Sequence, residues 1–263
     1  TLAIVDLDGG YRKPYENNGV EKLVDGELVS TKQVISVAES RDYDTSYAAT
    51  YYPPIRLRDT VSGNGDITIV PSSVAALGAI ARSEALSEGP WFAPAGFNRG
   101  GISILGGSAG PRVVGTIEHL TKKDRDNLYE QNINPIARFP SVGEIVIFGQ
   151  KTLQQTPSAL DRVNVRRLMI YLKKRINRIA NTILFDQNVQ TTWLRFKSRA
   201  ERILENVQAR FGITKFRLVL DETTTTADLV DRNILYAKIF VQPARSIEFI
   251  AIDFVITRSG VEF

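Results

Sequence analysis

Apolar residues recur at steps of three and four between residues 161 and 185, where Val165, Leu168, Met169, Leu172, Ile176, Ile179 and Ile183 trace a single stripe. That spacing predicts an amphipathic helix, about 35 Å long at 1.5 Å per residue. Asp161 is placed to cap its N-terminus, with a negative charge that suits the helix dipole. The face opposite the stripe reads Arg166, Arg167, Lys173, Lys174, Arg175 and Arg178, with no acid among them. A second helix is predicted over residues 192–211, striped by Trp193, Phe196, Ala200, Ile203, Val207 and Phe211. Arg195, Arg199 and Arg202 fall on one line of it, with Lys197 beside them, and Gly212 follows as a helix stop.

The pattern then changes from a period near 3.6 to a period of two. Strands are predicted over residues 215–220, 235–241 and 247–257. The last alternates Ile250, Ile252, Phe254 and Ile256 against Phe249 and Asp253, with Ile247 leading in. A strand so long and so apolar on one face is a hazard unless a partner takes it. We therefore expect Ile247, Phe249, Ile250, Ile252, Phe254 and Ile256 to form an inter-subunit strand.

The first half of the chain is built from shorter pieces. Residues 1–8 read as a strand, residues 31–38 as a helix or strand, and residues 47–56 as an aromatic strand running into Pro53-Pro54. A short strand over 67–70 is followed by Pro71-Ser72-Ser73, which opens a helix. The run from Gly89 through Trp91, Phe92 and Phe97 reads as a packed loop, because neither spacing of a glycine-rich phosphate cradle is present. Thr121 and Asp124 form a capping-box-like start to a helix ending near Gln131. Residues 144–148 read as a strand.

Together these elements predict an α+β (mixed α/β) protein in two parts. Residues 1–115 are expected to form an outer α/β unit. Residues 116–263 are expected to form a unit in which two long helices cover a sheet and a terminal strand is free to exchange.

Charge changes the picture more than composition does. The 263 residues carry 33 Lys+Arg and 29 Asp+Glu, a net charge of +4. Residues 158–215 hold 13 of the cations and four of the acids, a net of +9, which leaves −5 elsewhere. Such asymmetry points to an acidic partner or to nucleic acid. Nucleic-acid binding would need aromatics beside the cations, and here they lie on the apolar stripe. There is no cysteine and one histidine, His119, so disulfides, thiolate sites and histidine clusters are excluded. No apolar run reaches about 18 residues, and no membrane-spanning helix is expected. The chain opens at Thr1 directly in an apolar run and is expected to be the C-terminal part of something longer.

One catalytic signal competes. The strand ending Asp6-Leu7-Asp8-Gly9-Gly10 resembles the nucleophile motif of haloacid-dehalogenase-type phosphohydrolases, where paired carboxylates and Mg²⁺ handle a phosphate. Gly10 stands where that motif carries Thr or Val, and no later lysine-plus-acid motif completes it. An Asp/Gly turn closing a strand is the simpler reading.

The order of motifs resembles a known family. A Tyr-Tyr-Pro-Pro strand end is followed by VPSSVAALGAIARSEALSEGPWFAPAGFNRG, then LTKKDRDNLYEQNINPI, then VNVRRLMIYLKKRI. This succession is similar to the tail sheath protein of contractile-tailed bacteriophages, over roughly residues 45–263. The resemblance implies a structural subunit and no enzyme, with no cofactor and no metal. It implies hexameric rings of identical subunits, stacked around a tail tube, that shorten to drive the tube through the host envelope. The implied partners are neighbouring subunits, the tube protein, and baseplate and terminator proteins, without nucleic acid or membrane insertion. The implied location is the virion, after assembly in the host cytoplasm. The C-terminal unit would be the inner one. On that footing Arg195, Lys197, Arg199 and Arg202, then Lys173, Lys174 and Arg178, are the candidates to touch the tube.

Overall fold

The computed structural model describes residues 1–7, 23–24, 27–58, 65–87, 89–103, 111–140 and 143–248. Its first sheet runs β1 (Ala3–Val5), β4 (Ala48–Tyr52), β8 (Ile133–Phe139), β9 (Glu144–Ile147), with the short pair β2 (Leu23–Val24) and β3 (Glu27–Leu28) apart from it. β4 pairs in parallel with both β1 and β8, and β8 pairs antiparallel with β9. All five residues of β4 are buried, as a strand covered on both faces requires. Alternation assigns its side chains: Ala49 and Tyr51 point into one core, Tyr52 into another.

The first core lies between this sheet, helix α2 (Ser72–Ser87) and a second sheet. That sheet is β6 (Ile67–Val70), β5 (Ile55–Arg58) and β7 (Arg112–Thr116), with β5 central. The small residues Ala75, Ala76 and Ala79 are fully buried, so α2 approaches the sheet closely. On the opposite face α1 (Val29–Arg41) and α4 (Lys122–Glu130) enclose Val34, Tyr52, Leu128 and Ile133. The capping box expected at Thr121 and Asp124 is formed in both directions. The residues expected as a helix or strand over 31–38 are helical.

A separate core follows. Helices α5 (Val163–Asn181) and α6 (Gln190–Ala209) pack on the antiparallel pair β10 (Ile213–Val219) and β11 (Lys238–Pro243). Its buried residues include Leu168, Leu172, Phe196, Ala200, Leu204, Val207, Ile213 and Leu218, and Ile239 and Val241 alternate inward from β11. Trp91 comes from the first half of the chain into this core, between α3 (Gly96–Arg99) and α2 in sequence. Its indole Nε1 donates to the Arg210 carbonyl at 2.9 Å. The mixed α/β class and the two helices on a sheet are as expected.

The division expected between residues 115 and 116 is not where the cores separate. β8 and β9 lie beyond it, yet they complete the first sheet and place Ile136, Ile145 and Ile147 in the first core. A parallel strand must find its partner across a long crossover, and local pattern does not reveal which partner it takes. The change of core falls instead around the bridges at Leu153 and Arg162.

Several local expectations shift for physical reasons. Asp161 does not cap α5. It sits in a 3-10 turn (Ala159–Asp161) and pairs with Arg162 at 3.2 Å, while Arg162 occupies the cap position. Phe211, expected on the α6 stripe, leaves the helix with φ +61° and is exposed. Gly212 is therefore not the left-handed stop. It is needed for space, because a Cβ there would lie 2.6 Å from Val207 Cγ1 and 2.9 Å from Trp91.

Candidate functional site

The expected basic face divides into buried and exposed cations. Arg166 and Arg167, in the first turn of α5, are each only 7% exposed and point toward the first half of the chain. Arg167 pairs with Glu84 of α2. Arg166 donates to Ser46 Oγ and stacks over Tyr47, 3.9 Å from the ring centre. These two belong to packing between the cores and not to a solvated face. A helix this long crosses from one environment to another, and periodicity alone cannot mark the crossing.

Beyond them, Lys173, Lys174, Arg175 and Arg178 are exposed. On α6, Arg195, Arg199 and Arg202 are exposed and Lys197 is half-buried. Two of these cations have local work. Arg195 Nη1 pairs with Asp186 Oδ2 at 3.1 Å, and Arg199 Nη1 donates to Thr182 Oγ1 at 3.2 Å. Both partners lie in the connection between α5 and α6, so Arg195 and Arg199 brace that turn.

A second constellation was not foreseen. The stem after β11 leaves the second core and is pinned by Glu248. Arg162 Nε donates to Oε1 at 2.7 Å and Nη2 to Oε2 at 2.9 Å, a bidentate pair. Gln150 Nε2 adds a bond to Oε1 at 3.1 Å, and the Tyr129 hydroxyl one to Oε2 at 2.9 Å. Asn164 Nδ2 holds Ser246 Oγ at 3.2 Å. Burial and the neighbouring Glu248 carboxylate push the Tyr129 hydroxyl well above its ordinary value. Lys151 donates to the Tyr129 carbonyl at 2.6 Å, and burial holds it below the usual lysine value. Lone Glu and Arg residues 86 positions apart leave no local signal by which sequence reading could pair them.

Of the residues expected to form the exchanging strand, Ile247 is described: it is not in a strand and is 84% exposed. Phe249, Ile250, Ile252, Phe254 and Ile256 lie outside the described residues.

The carboxylate signal takes a structural form. Asp6 Oδ1 accepts from the Ser73 backbone N–H at 3.0 Å and from Ser72 Oγ at 3.1 Å. Oδ2 accepts from Ser73 Oγ at 2.6 Å. Asp6 thus caps α2 from another strand, its oxygens taken by donors at the helix N-terminus. Asp8, Gly9 and Gly10 lie outside the described residues. His119 is exposed. Among the described residues there is no group of acids and histidine fit to hold a metal, and no helix long and apolar enough to cross a membrane. A cavity of about 600 Å³ beside the stem is lined by Asp161, Arg162, Arg245 and Glu248, whose Arg162 and Glu248 already satisfy each other.

The fold has known counterparts. It superposes on the sheath of the PVC extracellular contractile injection system in its contracted state with a TM-score of 0.70, over 90% of this chain and 61% of that one, at 24% identity. It also matches a chain of the anti-feeding prophage baseplate with a TM-score of 0.68, over 82% of this chain and 56% of that one, at 20% identity. The architecture is that of contractile sheath proteins. By sequence, residues 155–257 match the phage tail sheath C-terminal domain. The chain is 40% identical over 194 residues to the tail sheath protein of Vibrio phage KVP40, and 36% identical over 194 residues to that of Enterobacteria phage T4. Each alignment takes in 74% of this chain. It spans 27% and 28% of those relatives, about a quarter of their length. Residues 155–257 thus match the phage tail sheath C-terminal domain, and the chain is similar over 194 residues to phage tail sheath proteins, the family its motifs resemble.

Proposed function

We propose that the chain is part of a contractile tail sheath subunit. Copies stack as hexameric rings around a tail tube, and the stack shortens and widens to drive the tube through a host envelope. The observation that carries this reading is the β10–β11 pair. It lies in the stretch that matches the sheath C-terminal domain, and both its outer edges lack a strand partner among the described residues. Open edges invite strand addition, and the segment beyond Glu248 has the alternation to supply a strand. Ile250, Ile252, Phe254 and Ile256 of one subunit would then lie on the hairpin of another.

In this reading residues 1–154 form the outer part and residues 155–263 the inner, tube-facing part. Lys173, Lys174 and Arg178, with Lys197 and Arg202, supply the positive surface toward the tube. Arg195 and Arg199 act there while also holding the turn. Exposed ion pairs of about 0–1 kcal/mol each suit a contact that must later release, and repetition along the tail makes the sum large. Baseplate and terminator proteins complete the partners, in a virion assembled in the host cytoplasm. The role is structural and not enzymatic, as the use of Asp6 for capping α2 supports.

Deleting residues 250–263 from the full-length sheath protein keeps Glu248 and its partners. Soluble subunits that build no sheath on tubes, seen by electron microscopy, are the expected result. Intact contractile sheaths overturn the strand-exchange reading.

A further inference from the structure

The connection between α5 and α6 carries a feature that a basic surface does not require. Phe185 is 103% exposed, and its chain neighbour Leu184 and Leu194 of α6 are exposed as well. Phe185 has φ +71°, a left-handed conformation that bulky residues seldom adopt. A slack turn would let the ring fold back onto the helices, but this turn is firmly held. The Asp186 backbone N–H donates to the Ile183 carbonyl at 3.1 Å, and that of Val189 to the Gln187 carbonyl at 2.9 Å. Trp193 Nε1 donates to Asn188 Oδ1 at 2.7 Å, and Arg195 grips Asp186 at 3.1 Å. The backbone of the turn is therefore held, and the Phe185 side chain stands in solvent.

We propose that Phe185 is an apolar knob that seats in a pocket on the acidic protein surface faced by this hairpin. The inference rests on the reading that this surface is the tail tube. An exposed aromatic on a preorganised turn loses little freedom on binding, which is how a single side chain comes to dominate an interface. The surroundings fix the partner's chemistry. The cations nearest in the chain, Lys174, Arg175, Arg178 and Arg195, outnumber the acid of the turn, Asp186, which Arg195 already neutralises. A matching partner has an apolar pocket ringed by carboxylates. Arg195 and Arg199 are then positioning residues for the knob as well as part of its charged rim.

The test is co-sedimentation of full-length sheath protein with isolated tail tubes over a series of salt concentrations. Salt weakens the charged contacts and leaves the apolar one. Phe185→Ala is expected to reduce binding at high salt by about tenfold or more, with an unchanged melting temperature, because the ring is fully exposed among the described residues. The double variant Lys173→Glu, Lys174→Glu is expected to lose binding at low salt. If Phe185→Ala binds as the parent does at every salt concentration while the charge variant fails, the knob is wrong and the tube-facing assignment stands. If neither variant loses binding, the tube-facing assignment itself falls. If Phe185→Ala instead abolishes subunit association in the absence of tubes, the pocket belongs to another copy of the chain, and the proposed partner is overturned.

Discussion

Replacing Glu248 with alanine removes four hydrogen bonds at once, of 2.7, 2.9, 3.1 and 2.9 Å, from Arg162, Gln150 and Tyr129. Cutting one member of a buried pair costs about 3–5 kcal/mol, chiefly because the other charge is stranded. Here the cost is smaller for two reasons. The Arg162 and Glu248 side chains are 26% and 17% exposed, so water takes up part of the loss. Arg162 also keeps Asp161 at 3.2 Å. We expect about 2 kcal/mol. With an m-value of about 3 kcal/mol/M, the urea midpoint falls by roughly 0.7 M. Glu248→Gln, which keeps the shape and one acceptor, should lose about half as much. The decisive measurement is a double-mutant cycle with Arg162→Met, read by urea denaturation, where a true pair gives a coupling of about 1 kcal/mol or more. Midpoints that shift by less than about 0.2 M for Glu248→Ala, or energies that simply add, refute the claim that this contact anchors the stem.

Gly212→Ala places a methyl group 2.6 Å from Val207 Cγ1 and 2.9 Å from the Trp91 ring, and should cost about 1–3 kcal/mol in thermal or chemical denaturation. Asp6→Ala removes the cap of α2 at a cost of about 1 kcal/mol, and the parent chain should show no Mg²⁺-dependent phosphatase activity for the variant to lose. Alkaline pH should act through Tyr51 and Tyr129. Burial raises both hydroxyls above the ordinary value near 10, reinforced at Tyr129 by Glu248 and opposed at Tyr51 by Arg167. The unfolded chain gives up these protons first. Their contribution is therefore fully present below about pH 10 and is lost as pH climbs above it. Phenolate absorbance should show both ionising only as the protein unfolds, and Tyr129→Phe should make the alkaline loss of stability shallower. Lys151, held below the usual lysine value by burial, acts in the opposite sense: its penalty lifts as it loses its proton on the way to that value.

What was legible in the sequence was local. The stripe of Leu168, Leu172, Phe196, Ala200 and Val207 gave two helices and the face they bury. The spacing of Thr121 and Asp124 gave a capping box. The alternation from Leu235 to Val241 gave an inward face carrying Ile239 and Val241 and left Phe240 outside. Each of these depends on neighbours within a turn or two of chain, where geometry fixes which side chains share a face.

The tertiary structure alone decided which of these pieces meet. It sent β8 and β9 back into the first sheet and put Arg166 and Arg167 against the other half of the chain. It spent Asp6 on a helix 66 residues away, joined Glu248 to Arg162, and turned Phe185 out into solvent. Period and propensity carry no record of partners distant in sequence. A charged residue reads the same whether it will be solvated, buried in a pair or bracing a turn, and only the approach of another segment settles which. The sequence by itself therefore determined the two long helices, their apolar faces and the placing of charge. The packing of those elements determined where the cores divide and what each charge does, because those outcomes depend on distances that exist only once the chain has folded.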